Sequence, residues 1–228
     1  MPWEFYRPLN LTPAHPHPIT VAGKGGGAQL FSSQINIVDE YGIGLIMLSA
    51  GNMGASIVLS DALLATFVPA ADFASRDQAK KQYARRFASA RSKTHNKTME
   101  AVFKLDNDSL VVSEIRDGGK DVFAGIKQLW GLTMGQYTAT FGSTMRLFPT
   151  DLSEAARMNG RNVTAEVWRL WPEFGDAVKS DLPGSALEYG NCLQWSLGDW
   201  VHYGKEPLDR VVFYKDSNGR VVGFEMPF

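Results

Sequence analysis

After Lys97 the chain breaks into seven short apolar runs, MEAVFKL, SLVVSEI, TMRLFPT, NVTAEVWRL, CLQWSL, RVVFYK and VVGFEMP, each set off by turn-forming residues. Asp117-Gly118-Gly119 and Asn218-Gly219 are the clearest breaks, because glycine takes positive φ freely and Asn tolerates it. Short strands in series cannot each bury an apolar face alone. They do so by closing on one another, so the pattern predicts a closed or nearly closed antiparallel barrel over residues 91–228.

The first 90 residues read differently. Residues 8–18, PLNLTPAHPHP, carry four prolines and are irregular or extended. Leu30, Ile35 and Ile37, followed across the DEYG turn by IGLIMLS, predict an antiparallel hairpin. Asn52 is placed to cap a helix with Ile57, Leu63, Leu64 and Phe67 on its apolar face, ending at Pro69. Ser75 with Gln78 predicts a capping box for a second helix reaching Phe87. The expected class is therefore predominantly β with a short helical part (α+β), divided as 1–90 and 91–228.

Charge and cysteine content narrow the partners. A net charge of −1 and a pI near 6.4 do not suit a general polyanion binder. Lys80, Lys81, Arg85, Arg86, Arg91, Lys93 and Lys97 form a basic stretch without an acid between them. A solvated helix face and linker accounts for it without nucleic acid. One cysteine, Cys192, rules out an intrachain disulfide. The start lacks the basic and apolar regions of a secretory leader, and no apolar run approaches a membrane span, so a cytoplasmic chain without a membrane partner is expected. Asn-x-Ser/Thr triplets at Asn10, Asn96, Asn107 and Asn162 would matter only in a secretory compartment.

The glycine run around Lys24, GKGGGA, raises the question of chemistry. It matches neither a phosphate-binding P-loop nor a clean dinucleotide fingerprint. Glycines in a strand permit close approach of a neighbour or a bulge. PWEFYR, HPHPITVAGKGGG, SSQINIVDEYGIGLIMLSAG, MRLFPTDL, CLQWSLGDWVHYGKEPLDRVVFYKD and GRVVGFEMP together resemble, in order and spacing, the later half of fungal β-lactamase-related serine hydrolases that carry a lipocalin-like C-terminal barrel. The resemblance implies that Lys24 stands in the third active-site box, with Gly25 where a small hydroxyl residue is usual. It also implies secreted relatives. Such enzymes need Ser-x-x-Lys to form an acyl-enzyme. No serine in these 228 residues has a lysine three positions on. Tyr189-Gly190-Asn191 copies a Tyr-x-Asn box but follows Lys24 and lies in the barrel region.

His15 and His17 alternate with prolines, but a zinc site needs a third protein ligand and none stands at a recognisable spacing, so neither a metal nor another cofactor is expected. The aromatic residues are more suggestive. A small barrel can enclose one ligand, and Tyr137, Trp168, Trp171, Trp195 and Phe213 would line such a cavity. Trp168 and Trp171 have opposite parity, so at most one points inward on a regular strand.

Three functions fit. The preferred one is a barrel that binds a hydrophobic polyene or terpenoid-like metabolite and steers its cyclisation, a Diels-Alder-type isomerase or cyclase without a covalent intermediate. Fungal secondary metabolism, implied by the resemblance, offers that setting. Lys24, Tyr6 or His17 would then supply a polar contact. The alternatives are a non-catalytic C-terminal portion of a β-lactamase-like hydrolase, and an interaction module using the basic 80–97 surface. Whether the chain is an enzyme, and whether it forms a homo-oligomer, the residues leave open.

Overall fold

The computed structural model describes residues 2–52, 54–89, 98–106, 109–134, 141–174, 201–203 and 205–226. Two compact units emerge, Met1–Gln78 and Ala79–Phe228. The division precedes the expected border at residue 90, because Ala79 and Tyr83 pack into the core of the second unit.

In the first unit β1 (Glu4–Tyr6), β2 (Val21–Ala28), β3 (Phe31–Val38) and β4 (Ile43–Ala50) form an antiparallel sheet in sequence order. The expected hairpin is β3–β4, closed by a 3-10 turn at Asp39–Tyr41 and by Gly42 at φ 62°. The lysine-glycine run is β2, paired along its length from Ala22–Ile37 to Ala28–Phe31. Helix α1 (Gly54–Gln82) follows, its start capped where the Gly54 amide donates to Asn52 Oδ1 at 2.8 Å. Its buried residues fall at four-residue spacing: Ser56, Ser60, Leu64, Val68 and Asp72. Leu64 and Val68 close on Ile19, Val21 and Val38, each apolar side chain contributing ~1.5–3 kcal/mol on burial.

Three expectations do not hold. One continuous helix replaces the two that were expected, with Pro69 inside it. Proline removes a helix hydrogen bond and costs ~3 kcal/mol. The buried stripe continues on both sides of Pro69, at Val68 and Asp72, and this packing offsets the loss. The second helix also stops at Gln82, and Arg86–Ala88 forms a strand instead of the helix end at Phe87. Read as one element, α1 is long and apolar enough to cross a membrane, with a mean hydropathy of 1.6 over its most apolar stretch. The expectation that no apolar run reaches that length does not hold. Ser60 on the buried stripe nevertheless accepts a 2.7 Å hydrogen bond from Asn36 of the sheet.

The second unit continues with β5 (Arg86–Ala88), β6 (Met99–Leu105), β7 (Leu110–Asp117), β8 (Lys120–Asp121), α2 (Phe123–Met134), β9 (Phe141–Met158), β10 (Arg161–Phe174), β11 (His202–Tyr203), β12 (Glu206–Pro207), β13 (Arg210–Lys215) and β14 (Val221–Glu225). Along the main sheet the order is β14-β13-β10-β9-β7-β6-β5, with β8 paired to β7. The two end strands meet. Phe87 of β5 lies 5.5 Å from Phe224 of β14, ring to ring, and the Arg85 guanidinium donates to the Val221 carbonyl. The sheet is thus a nearly closed barrel, as the strand pattern predicts. Helix α2, capped by Asp121, was not anticipated; it adds Phe123, Ile126 and Trp130 to the barrel core. The run CLQWSL lies outside the described residues.

Candidate functional site

Alternation along β2, β3 and β4 separates two sheet faces. One faces α1 and is built around Asn36, which is fully buried. Asn36 Oδ1 accepts hydrogen bonds from Tyr6 at 2.7 Å and Gln34 at 3.0 Å, while its Nδ2 donates to Ser60. Gly23 explains part of the glycine run. A Cβ there would sit 3.0 Å from both Asn36 Oδ1 and the Tyr6 ring. Burial raises the Tyr6 hydroxyl above its ordinary pKa.

On the opposite face Lys24 shares a cross-strand row with Ile35 and Ile46. Phe31, Ile37 and Leu48 occupy the same face by parity. Phe31 is 63% exposed, Ile46 68% and Leu48 79%. Large apolar side chains left in water this way, in one contiguous patch, mark an interaction surface. Lys24 Nζ donates to Glu4 at 2.8 Å and is the charged residue among these six. A groove of about 460 Å³ opens beside Gly26, Phe31, Ser33 and Leu48, where glycine leaves the strand without side chains.

Among the described residues Lys24, Tyr6 and His17 do not share a hydrogen-bond network: Tyr6 bonds Asn36 and Lys24 bonds Glu4. His17 Nδ1 contacts the His15 carbonyl at 2.7 Å, and its Nε2 lies 2.9 Å from Glu40 and 3.1 Å from the Tyr41 hydroxyl. Tyr41 donates to Asp72 at 3.2 Å, tying the hairpin turn to α1. Burial, then the Glu40 and Asp72 charges, raise its hydroxyl pKa. Among the described residues no three His, Cys, Asp or Glu side chains gather as metal ligands would.

Inside the barrel, Trp168 and Phe213 lie 5.7 Å apart at 85°. Phe213 also contacts Tyr83, Phe87 and Phe103 at 5.0, 6.0 and 5.2 Å. At this level the interior is occupied by rings in edge-to-face and tilted contact. Trp171 is buried too, but only Trp168 belongs to the core cluster, as the opposite parity requires. Tyr137 and Trp195 lie outside the described residues.

These rings adjoin a polar cluster that the sequence reading passed over. Glu166 accepts hydrogen bonds from Tyr83 at 2.6 Å, Lys215 at 2.8 Å and the Trp168 indole at 3.1 Å. Burial works to raise the Glu166 carboxyl, but the bonds from Lys215, Tyr83 and Trp168 outweigh it and hold the group below the usual carboxylate range. The Tyr83 hydroxyl is pushed up by burial and by its bond to Glu166. Alternation carried a usable signal: Glu166 and Trp168 stand two apart in NVTAEVWRL, so both point to one side. Of the basic stretch, Arg86 is paired with Glu100 and Glu114, and residues 90–97 lie outside the described part.

Residues 75–228 match the family model described as "Beta-lactamase-like-like, C-terminal domain". The whole chain is 34% identical, over 239 aligned positions, to a "Beta-lactamase-like protein" of the fungus Arthroderma benhamiae. The chain spans 40% of that relative's length. No solved structure matches.

Proposed function

Because the chain belongs to the β-lactamase-like family through this C-terminal domain, we propose that it is the non-nucleophilic portion of a β-lactamase-like serine hydrolase. In this reading it presents the Lys24 strand to a Ser-x-x-Lys segment that these 228 residues do not contain. The uncovered apolar face around Lys24 carries the proposal. A segment docked there would remove Phe31, Ile46 and Leu48 from water and place the lysine ammonium at the seam. In such a partly dehydrated seam a cation holds a substrate carboxylate or lowers the pKa of a neighbouring nucleophile.

Magnitudes decide how the parts are joined. Burying three large apolar side chains yields ~5–9 kcal/mol. Bringing two separate chains together costs ~4–15 kcal/mol in lost freedom. Three side chains alone therefore leave little surplus for a two-chain complex. A covalent connection, or a wider interface that includes the exposed Ile57, Phe67 and Phe73 of α1, supplies the rest. The expectation of a cyclase with a hydrophobic guest draws no support from the ring-filled interior at Phe87, Phe103 and Phe213.

The test is to join or mix the chain with the part of the Arthroderma relative that has no counterpart here, and to challenge it with a serine-acylating probe. The assembled protein is expected to label on the added serine, the 228-residue chain alone to stay unlabelled, and Lys24→Ala to lower labelling ~10-fold or more. Labelling indifferent to Lys24 would refute the role.

A further inference from the structure

The asparagines are distributed unevenly. Serine and threonine make up 27 of the 228 residues, so chance would place about one of the nine asparagines in an Asn-x-Ser/Thr triplet, and four stand in one. Asn36, the buried hub, and the turn residues Asn159 and Asn218 are not among the four. Asn96 and Asn107 lie outside the described residues. Of the other two, Asn10 is exposed, but the hydroxyl of its partner Thr12 is buried and donates to the His15 carbonyl.

Asn162 differs. It is the second residue of β10, opposite Arg157, directly after the turn at Asn159-Gly160. Thr164 stands two residues on and therefore on the same side of the strand. Both are exposed, and neither side chain makes a hydrogen bond among the described residues. Asn162 also forms part of the wall of a groove of about 640 Å³. Met158, Val163 and Val222 give that groove apolar surface, Asn159 and Arg161 give it hydrogen-bond donors, and Arg220 lies in it paired with Asp216, a carboxylate that can accept from a sugar hydroxyl. Its size falls within the ~300–1,000 Å³ of small-molecule pockets. A pyranose presents the same mixture, C–H patches ringed by hydroxyl and acetamido oxygens.

We propose that Asn162 is an N-glycosylation site whose first sugar lies in this groove. The donor is an oligosaccharide linked through pyrophosphate to a lipid carrier. The Asn162 amide nitrogen forms a bond to the anomeric carbon, the bond from that carbon to pyrophosphate oxygen breaks, and the lipid pyrophosphate leaves with the electron pair. The amide gives up one proton, which balances the charge on the departing lipid pyrophosphate. The chain accordingly passes through a secretory compartment. Once attached, the sugar covers Met158 and the exposed Val222.

Mass mapping of the protein recovered from the cells that naturally make it tests the site. The peptide containing Asn162 is expected to be glycosylated and Asn159 unmodified; an unmodified Asn162 overturns the proposal. Produced in the same cells, Thr164→Ser keeps the glycan and Thr164→Val loses it; loss in both overturns the assignment to the triplet. The groove has its own readout. Amide hydrogen exchange at residues 220–223 is expected to be about fivefold slower in the glycosylated protein than after enzymatic removal of the glycan. Equal rates overturn the placement of the sugar.

Discussion

Tyr83 and Glu166, far apart in sequence, are joined by a 2.6 Å hydrogen bond. The phenol donates and the carboxylate accepts. Lys215 and the Trp168 indole complete the shell around that carboxylate, so a partly buried charge is met on three sides. Tyr83→Phe removes one donor and leaves the others. A loss of ~1.5–3 kcal/mol of unfolding free energy is expected, the range for a bond to a charged group. Urea denaturation measures it, and a loss under 0.5 kcal/mol, on the order of a neutral surface substitution, would contradict the role given to this pair.

The same cluster sets a pH dependence. The folded state holds Glu166 below its ordinary pKa. The unfolded chain therefore binds its proton first as pH falls, so the contribution is complete above the ordinary carboxylate pKa and is lost as pH drops through the folded value. Tyr83, raised in the folded state, works in the opposite direction: its contribution is complete below the ordinary tyrosine pKa and declines as pH rises above it. Thermal unfolding of Glu166→Gln is expected to show a shallower acid limb than the parent. An unchanged acid limb would remove Glu166 from the account.

Gly23→Ala tests the hub of the first sheet. The new Cβ meets Asn36 Oδ1 and the Tyr6 ring at 3.0 Å, tighter than ordinary van der Waals contact, so a residue of the buried network must move. Overpacking of this kind costs ~1–3 kcal/mol. Gly44→Ala, with nothing within 4 Å of its Cβ, serves as the control and is expected to be near neutral. Equal effects would contradict the packing reason for glycine at position 23.

Phe213→Ala separates packing from ligand lining. As a fully buried ring touching Tyr83, Phe87, Phe103 and Trp168, Phe213 is expected to cost ~3–5 kcal/mol when truncated. A side chain lining a guest cavity would leave stability nearly intact. Equilibrium unfolding decides between them.

Much of the fold was legible. Period-two runs on either side of the DEYG turn predict the hairpin, and those bounded by Asp-Gly and Asn-Gly predict the barrel, because turn chemistry and alternation are local. The continuity of α1 was not, since Pro69 is a local break signal that long-range burial of Leu64, Val68 and Asp72 overrides. Lys24 could be singled out from the glycines around it. What gives it meaning, an apolar face shared with Ile35 and Ile46, depends on register and on what remains uncovered. Neither property resides in a single run. Glu166 was missed because a lone acid in an apolar strand looks like a solvent-facing residue until Tyr83 and Lys215 arrive from distant elements.

Hydroxyl-radical footprinting of Phe31 and Leu48, before and after the missing portion of the relative is supplied, tests the central claim most directly. Both side chains are largely exposed in the chain by itself. The account predicts that their oxidation falls ~10-fold on assembly while that of the exposed barrel residue Leu152 stays constant. Unchanged oxidation of Phe31 and Leu48 in an assembled, folded protein would contradict it.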